Sequence, residues 1–326
     1  MKRLAALACL LAAMVAAQAQ QANRAIRGPL PRIVWRPPPR MTIQDWTCGP
    51  GGCARTPRPP FYFQREDTSG TNAKMYVRDA RGRTWDVKFG APVIAETFAP
   101  RFNMALGYLG EYTYFVPEGK VVGAHRLKRC HYFVHDGVFR RARFELRGQK
   151  NLVFLKNHAW SWTNNPFLGT PQFAGLKIVI MLLSDWDTKD IRDGEESANV
   201  GVFRVPGLNG PELFYGMFDW GAALGRWGGT LRQKKSDCAA FARDTPHFVQ
   251  GVRGNMVQFG FWGKHGEDIR SGITVEDVRW LLPWLRRVTP LEIRYALKIS
   301  GATERQAGCW TNSIQDRIRQ LEAAAR

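Results

Sequence analysis

Acidic residues are scarce in this chain of 326 residues: 28 Asp and Glu stand against 47 Lys and Arg, for a formal net charge of +19. A surplus of that size implies contact with something anionic. The basic residues form no long block, however, and their clusters are as short as Arg140-Arg141-Ala142-Arg143 and Lys234-Lys235. No RNA- or DNA-binding signature accompanies them, which excludes sequence-specific nucleic-acid recognition and leaves general affinity for polyanions. Past the N-terminus no apolar run reaches the length of a membrane-crossing helix, so no permanent transmembrane span is expected. The chain also lacks a Gly-x-Ser-x-Gly elbow, a Walker loop and a His-Glu-x-x-His pair, which removes three common catalytic designs. There is no internal repeat.

At the N-terminus, Met1-Lys2-Arg3 precedes an apolar run from Leu4 to Ala17, and Ala17-Gln18-Ala19 has the small-x-small form of a cleavage site. Residues 1–19 therefore read as a secretory signal peptide, and the mature protein is expected in the periplasm or outside the cell. Loss of Lys2 and Arg3 with that leader leaves +17 of the +19. Five cysteines remain: Cys48, Cys53, Cys130, Cys238 and Cys309. Cys48 and Cys53 bracket a Gly-Pro-Gly-Gly turn and can close on each other, while the odd count leaves at least one thiol free or shared between chains. Cys130-His131, with His125 and His135, has the residue types of a zinc site. Strand-like alternation, however, sets His131 and His135 on one face and Cys130 on the other.

Residues 20–60 are rich in Pro, Arg and Gly and are expected to form an extended arm without regular structure, held by Trp35 and Trp46 against the body. Order is expected from Phe61 onward. Residues 74–79 and 83–89 alternate as two strands of a hairpin, with Trp85, Val87 and Phe89 on one face and Asp86 and Lys88 on the other. Pro92 opens a helix that carries Glu96 and ends at Gly107, with Pro100 marking a kink or an early stop. Two short strands are expected over residues 112–116 and 120–124, while residues 126–156 give no clear pattern. Thr170-Pro171 starts a helix that is apolar nearly all round and therefore buried. A hairpin over residues 199–218 follows, and three helices beginning near Thr274, Thr289 and Thr303 complete the chain.

Between the buried helix and the hairpin stands Ser184-Asp185-Trp186-Asp187-Thr188-Lys189-Asp190-Ile191-Arg192-Asp193. The hairpin ends in Phe218-Asp219-Trp220-Gly221. This order of parts, over roughly residues 68–221, resembles the protein-kinase-like fold, in particular its atypical bacterial HipA-type and CotH-type branches. The resemblance implies an α+β, two-lobed molecule. Residues 61–156 would form a small sheet lobe with one helix, and residues 157–326 a mainly helical lobe.

Each motif position has an implied role. Val87-Lys88-Phe89 resembles the strand lysine that grips nucleotide phosphates, and Glu96 its ion-pair partner. Ser69 and Gly70, in the loop that runs to Lys74, resemble the loop that covers the phosphates. Asp187-Thr188-Lys189 is similar to the catalytic Asp-x-Lys, with Asp187 receiving the acceptor hydroxyl's proton and Lys189 steadying the transferred phosphate. Asp219-Trp220-Gly221 resembles Asp-Phe-Gly, with Asp219 on magnesium. Arg192 stands where the family places a metal-binding asparagine. That leaves Asp193 as the second metal residue, with Asp190 as its alternative, or leaves the second ion absent.

The implied function is a secreted phosphotransferase that uses ATP or another nucleotide with magnesium, acting on a protein or envelope acceptor that the sequence does not identify. The alternative is an inactive pseudokinase that keeps the fold to bind a nucleotide or another anionic ligand. A third reading is an envelope protein whose basic arm holds an acidic polymer.

Overall fold

The computed structural model describes residues 29–229 and 233–326. The expected signal peptide, residues 1–19, and the first part of the arm, residues 20–28, lie outside the described residues. From residue 29 the arm is more regular than its composition suggests. Strand β1 (Arg32–Ile33) runs parallel to Leu213 and Phe214. Helix α1 (Ile43–Cys48) starts on a capping box: Thr42 Oγ1 accepts the Asp45 amide, and the Asp45 carboxylate accepts the Thr42 amide. A disulfide joins Cys48 to Cys53 just beyond it. Trp46 is buried, and Trp35 packs between Trp280 and Trp284, with ring centroids 5.0 and 5.1 Å away. The expectation of an arm without regular structure is thus corrected. Both elements are too short to show a period in sequence, and they exist because the body pairs with and covers them.

A five-stranded barrel follows. Its strands are β2 (Phe61–Asp67), β3 (Lys74–Arg78), β4 (Thr84–Phe89), β5 (Thr113–Val122) and, after the two-residue β6 (Val134–His135), β7 (Val138–Leu146). The order β4-β3-β2-β5-β7 closes because β7 also pairs with β4. Met75, Val77, Trp85, Val87 and Phe144 are all fully buried and point inward, as the two-residue period of a strand requires. The alternation expected for residues 83–89 holds. The two strands expected over residues 112–124 are instead the single β5. Its ladder to β7 continues on both sides of Pro117, while β2 reaches only Val121 and Val122, so Pro117 interrupts no ladder on that edge. A closed barrel also replaces the small sheet that was expected.

Helix α2 (Pro92–Leu106) lies against the outer face of β4 and β7 and runs through Pro100 without a break. It is buried on nearly every side: Glu96 and its charged partners face the barrel, and Phe98 and Phe102 enter the larger core. That double packing holds the helix although Pro100 has no amide to offer the Glu96 carbonyl.

The larger core has a second sheet as well as helices. Strands β8 (Val153–Leu155), β9 (Val200–Gly207) and β10 (Gly210–Met217) form the order β1-β10-β9-β8. The β9–β10 turn is tighter than expected, with Gly207 opposite Gly210. β8 falls before residue 157, yet pairs with β9. Helix α3 (Pro171–Leu182) is buried over its last ten residues. Beyond it come α4 (Cys238–Asp244), the hairpin β11 (Val249–Arg253) and β12 (Met256–Phe259), and α5 (Gly266–Arg270). The chain closes with α6 (Val275–Arg286), α7 (Pro290–Ile299) and α8 (Glu304–Ala324). Thr170, Thr274, Thr289 and Thr303 each cap their helix with a side-chain oxygen, as the sequence pattern predicts. A second disulfide, Cys238–Cys309, ties α4 to α8, and Cys130 is buried with a free thiol. The architecture is α+β, and no helix among the described residues is long and apolar enough to cross a membrane.

Candidate active site

The site is built where the barrel's outer face meets α2 and the end of β10. Lys88, outward on β4, donates to Glu96 Oε1 at 2.8 Å and lies 3.6 Å from Asp219 Oδ2. Glu96 is shared. Its second oxygen accepts Arg143 Nε at 2.7 Å, and Arg143 in turn reaches Glu145 at 2.9 Å and Asp86 at 3.5 Å. Burial alone would drive the Lys88 ammonium down, but Asp219 and Glu96 outweigh it and hold the group well above its usual range. For Asp219, burial pushes upward and is overcome by Lys88, the Gly221 amide and Arg143, so its carboxyl falls to about 2.

These shifts have opposite signs. Asp219 contributes its ion-pair energy above its ordinary value of 3.8 and loses it as the pH falls toward 2. Lys88 contributes below 10.5 and loses it only at higher pH. Lys88 and Asp219 are therefore both charged throughout the neutral range. Gly221 is needed here for space: a Cβ would stand 2.6 Å from Glu96 Oε1 and 3.0 Å from Asp219 Oδ1. Glu96→Ala would take from Lys88 and Arg143 the carboxylate they share, leaving Lys88 with Asp219 at 3.6 Å and Arg143 with Glu145 at 2.9 Å, and should lower unfolding free energy by about 3 kcal/mol, the low end for a broken buried pair. Chemical denaturation of the variant beside Glu96→Gln measures this, and an unchanged midpoint would show that Glu96 is dispensable.

The acidic loop faces this triad. It begins where Arg317, from α8, caps the C-terminal end of α3. Its guanidinium donates to the Met181 and Leu182 carbonyls and to Ser184 Oγ at 3.1, 3.0 and 2.7 Å. Ser184 takes a left-handed conformation, φ 51°, and turns the chain into the loop. Asp185 is fully buried, accepts the Asp187 amide on one oxygen and has no partner among the described residues for the other. Burial, with Asp219 and Asp187 nearby, pushes its carboxyl well upward. Trp162 holds the loop from below by donating Nε1 to the Thr188 carbonyl at 2.9 Å and its amide to Asp190 at 2.9 Å. Asn199 joins the two acidic segments. Its side-chain nitrogen donates to the Asp187 carbonyl at 2.5 Å, and its own carbonyl accepts the Phe218 amide at 3.0 Å.

Asp187, Lys189, Lys88 and Asp219 line one cleft of about 430 Å³, together with Ser69, Gly70 and the rest of the 69–74 loop. Asp187 and Lys189, two residues apart on the acidic loop, pair with each other at 3.1 Å. Ser69 spends its amide and hydroxyl on Asp67 at 2.9 and 2.7 Å, and Arg129 grips the loop carbonyls of Thr68 and Gly70 from outside. Lys235, Lys264, Trp186 and Trp227 also line the cleft and were missed in the sequence. Trp227, Lys235 and Lys264 follow the motif region, where a lone lysine or tryptophan has no pattern to mark it, and Trp186 stands inside the acidic stretch between two aspartates.

Asp193 does not join them. Its carboxylate takes His265 Nε2 at 2.6 Å and the Asp190 amide at 3.0 Å. Arg192 spans Asp190 and Asp268, each at 2.7 Å, so Asp193 and Asp190 are occupied in a lock beneath the loop. Asp190, Asp193 and His265 offer ligand atoms within 4.8 Å of one another, but Arg192 already supplies positive charge there. Asp193 and Asp190, the expected alternatives for a second metal residue, thus sit together with His265 and not in the cleft with Asp219.

On the other side of Phe218 lies a second cavity, of about 440 Å³, walled by Phe154, Phe203 and Phe218, the segment after β7, and Glu111. Burial, and then Glu145 nearby, pushes the Glu111 carboxyl well above its usual range. The chain matches no protein-family model, no curated protein and no solved structure.

Proposed function

We propose that the protein is a nucleotide-dependent phosphotransferase with a two-lobed, kinase-like arrangement. The barrel and α2 would form the upper part, and the α3-centred core the lower. One observation carries this: Lys88 stands between Glu96 and Asp219, at 2.8 and 3.6 Å, across one cleft from Asp187 and Lys189. Four separate segments, spread over more than a hundred residues, converge on a geometry that phosphoryl transfer needs. Lys88 would hold the donor phosphates and Asp187 would take the acceptor's proton, with Lys189 beside the phosphate in flight. Magnesium, when bound, would neutralise charge on the phosphates. Asp219 would hold it, and Asn199 is a second oxygen source, because its side-chain oxygen has no donor among the described residues.

A pseudokinase is the second reading, favoured by the occupation of Asp193 and Asp190 away from the cleft. Export of the chain would fit the two disulfides, which an oxidising compartment permits. Lys88→Ala tests both readings. Glu96 keeps Arg143 as its partner, so the fold should survive, while nucleotide affinity should drop by about 30-fold, since a charged hydrogen bond contributes about 2 kcal/mol. Calorimetric titration that finds equal affinity in the variant and the wild type would remove Lys88 from the phosphate role.

A further inference from the structure

The cleft holds more positive charge than a nucleotide needs. Lys88 is engaged by Glu96 and Asp219, Lys74 by Asp67 at 3.1 Å, and Lys189 by Asp187. Lys235 and Lys264 have no carboxylate partner among the described residues, and both line the cleft on the side of the α3-centred core. Aromatic rings stand beside them. Trp227 lines the cleft against Trp186, with centroids 4.9 Å apart, and the Lys235 ammonium lies 5.6 Å from the Trp186 ring.

Trp262, two residues before Lys264, stands outside the cleft lining and is 65 % exposed. Arg270 covers one of its faces from 5.2 Å. The segment that carries Trp262 and Lys264 is fixed to the acidic loop: the Lys264 amide donates to the Trp186 carbonyl at 2.8 Å, and Thr188 Oγ1 donates to the Lys264 carbonyl. These groups therefore keep their position relative to Asp187.

We propose that this side of the cleft binds the acceptor, and that the acceptor is a sugar carrying an anionic group, a carboxylate or a phosphate, within a glycan chain. This inference rests on the phosphotransferase reading for the word acceptor, but not for the binding. Indole faces suit the C–H face of a pyranose ring, and a free lysine beside them suits its anion. An acidic peptide would use the lysines without needing an open indole face. The lysines alone would act as a diffuse charge, screened over about 8 Å at physiological salt.

Three polymers separate these chemistries: polygalacturonate, its fully methyl-esterified form, and poly-L-glutamate; a phosphomannan is the phosphate-bearing arm. In 150 mM salt the wild type should bind polygalacturonate or the phosphomannan at least tenfold more tightly than either the ester or poly-L-glutamate. Trp262→Ala should weaken sugar-polymer binding about tenfold and leave the weak poly-L-glutamate binding unchanged, and Lys264→Gln should weaken both. Melting temperatures within about 2 °C of wild type confirm folding, as expected of exposed positions.

Equal binding of polygalacturonate and poly-L-glutamate, or no effect of Trp262→Ala, overturns the glycan assignment. Nucleotide titration of the wild type, run alongside, keeps the two readings apart. Nucleotide binding without polymer binding overturns this inference alone. Polymer binding without nucleotide binding overturns the phosphotransferase reading and leaves the glycan contact standing.

Discussion

Asp187→Asn is expected to cut phosphate transfer by about 10³-fold while nucleotide affinity stays within about twofold of wild type, because loss of a positioned general base removes about 10²–10⁴ in rate. The substitution keeps the shape of the side chain and its place in the loop, where the Asp187 amide is held by Asp185 and its carbonyl by Asn199. What goes is the negative charge that would receive the acceptor's proton and that now pairs with Lys189. The split between transfer and binding is the diagnostic. A loss in both would mean that Asp187 contacts the donor, and retained transfer would take it out of the reaction. Single-turnover transfer of labelled phosphate to the protein itself and to envelope fractions, beside a binding titration, gives both numbers.

Asp219→Ala should behave in the opposite way. It should remove the magnesium-dependent part of nucleotide affinity, about 100-fold, and bring binding with and without the ion to the same level. Asp219 is the only carboxylate expected on the metal that faces the cleft, since Asp193 is held by His265. Its ionised form is secured by Lys88 and the Gly221 amide, so no proton competes with a cation at neutral pH. Removing it also frees Lys88, which keeps Glu96 at 2.8 Å and so remains in place. If magnesium still strengthened binding in Asp219→Ala by the wild-type factor, another ligand would hold the ion. Asn199 would then be the next position to change.

Local chemistry decided which parts of this molecule could be read from its sequence. The four threonine caps, the Lys74–Phe89 hairpin and the buried helix after Thr170 rest on neighbours within a few residues, and the structure has each of them; the Lys88–Glu96 pair, expected from the resemblance alone, is also present. Barrel closure was hidden because β7 carries Arg143 and Glu145 on its outer face. Those charges read as surface but are buried under α2, where each finds its counter-ion. Arg317 and Trp162, which shape the acidic loop, come from distant segments and act by tertiary hydrogen bonds and ring contacts. The role given to Asp193 depended on counting residues past Asp187. The loop turns Arg192 and Asp193 down onto His265 and Asp268, so Asp193 sits beside Asp190 and His265 and apart from Asp219, while Asn199, farther along, lies against the Asp187 carbonyl.

The most direct measurement is a thermal-shift titration of the wild-type protein with ATP and GTP, each with and without magnesium. A ligand at 100 times its dissociation constant stabilises the native state by about 2.7 kcal/mol, which for a chain of this size raises the melting temperature by about 5 °C or more. The account predicts such a rise with at least one nucleotide, larger when magnesium is present and cut to about a third in Lys88→Ala. A melting temperature that does not move with either nucleotide at millimolar concentration, with or without magnesium, would contradict it.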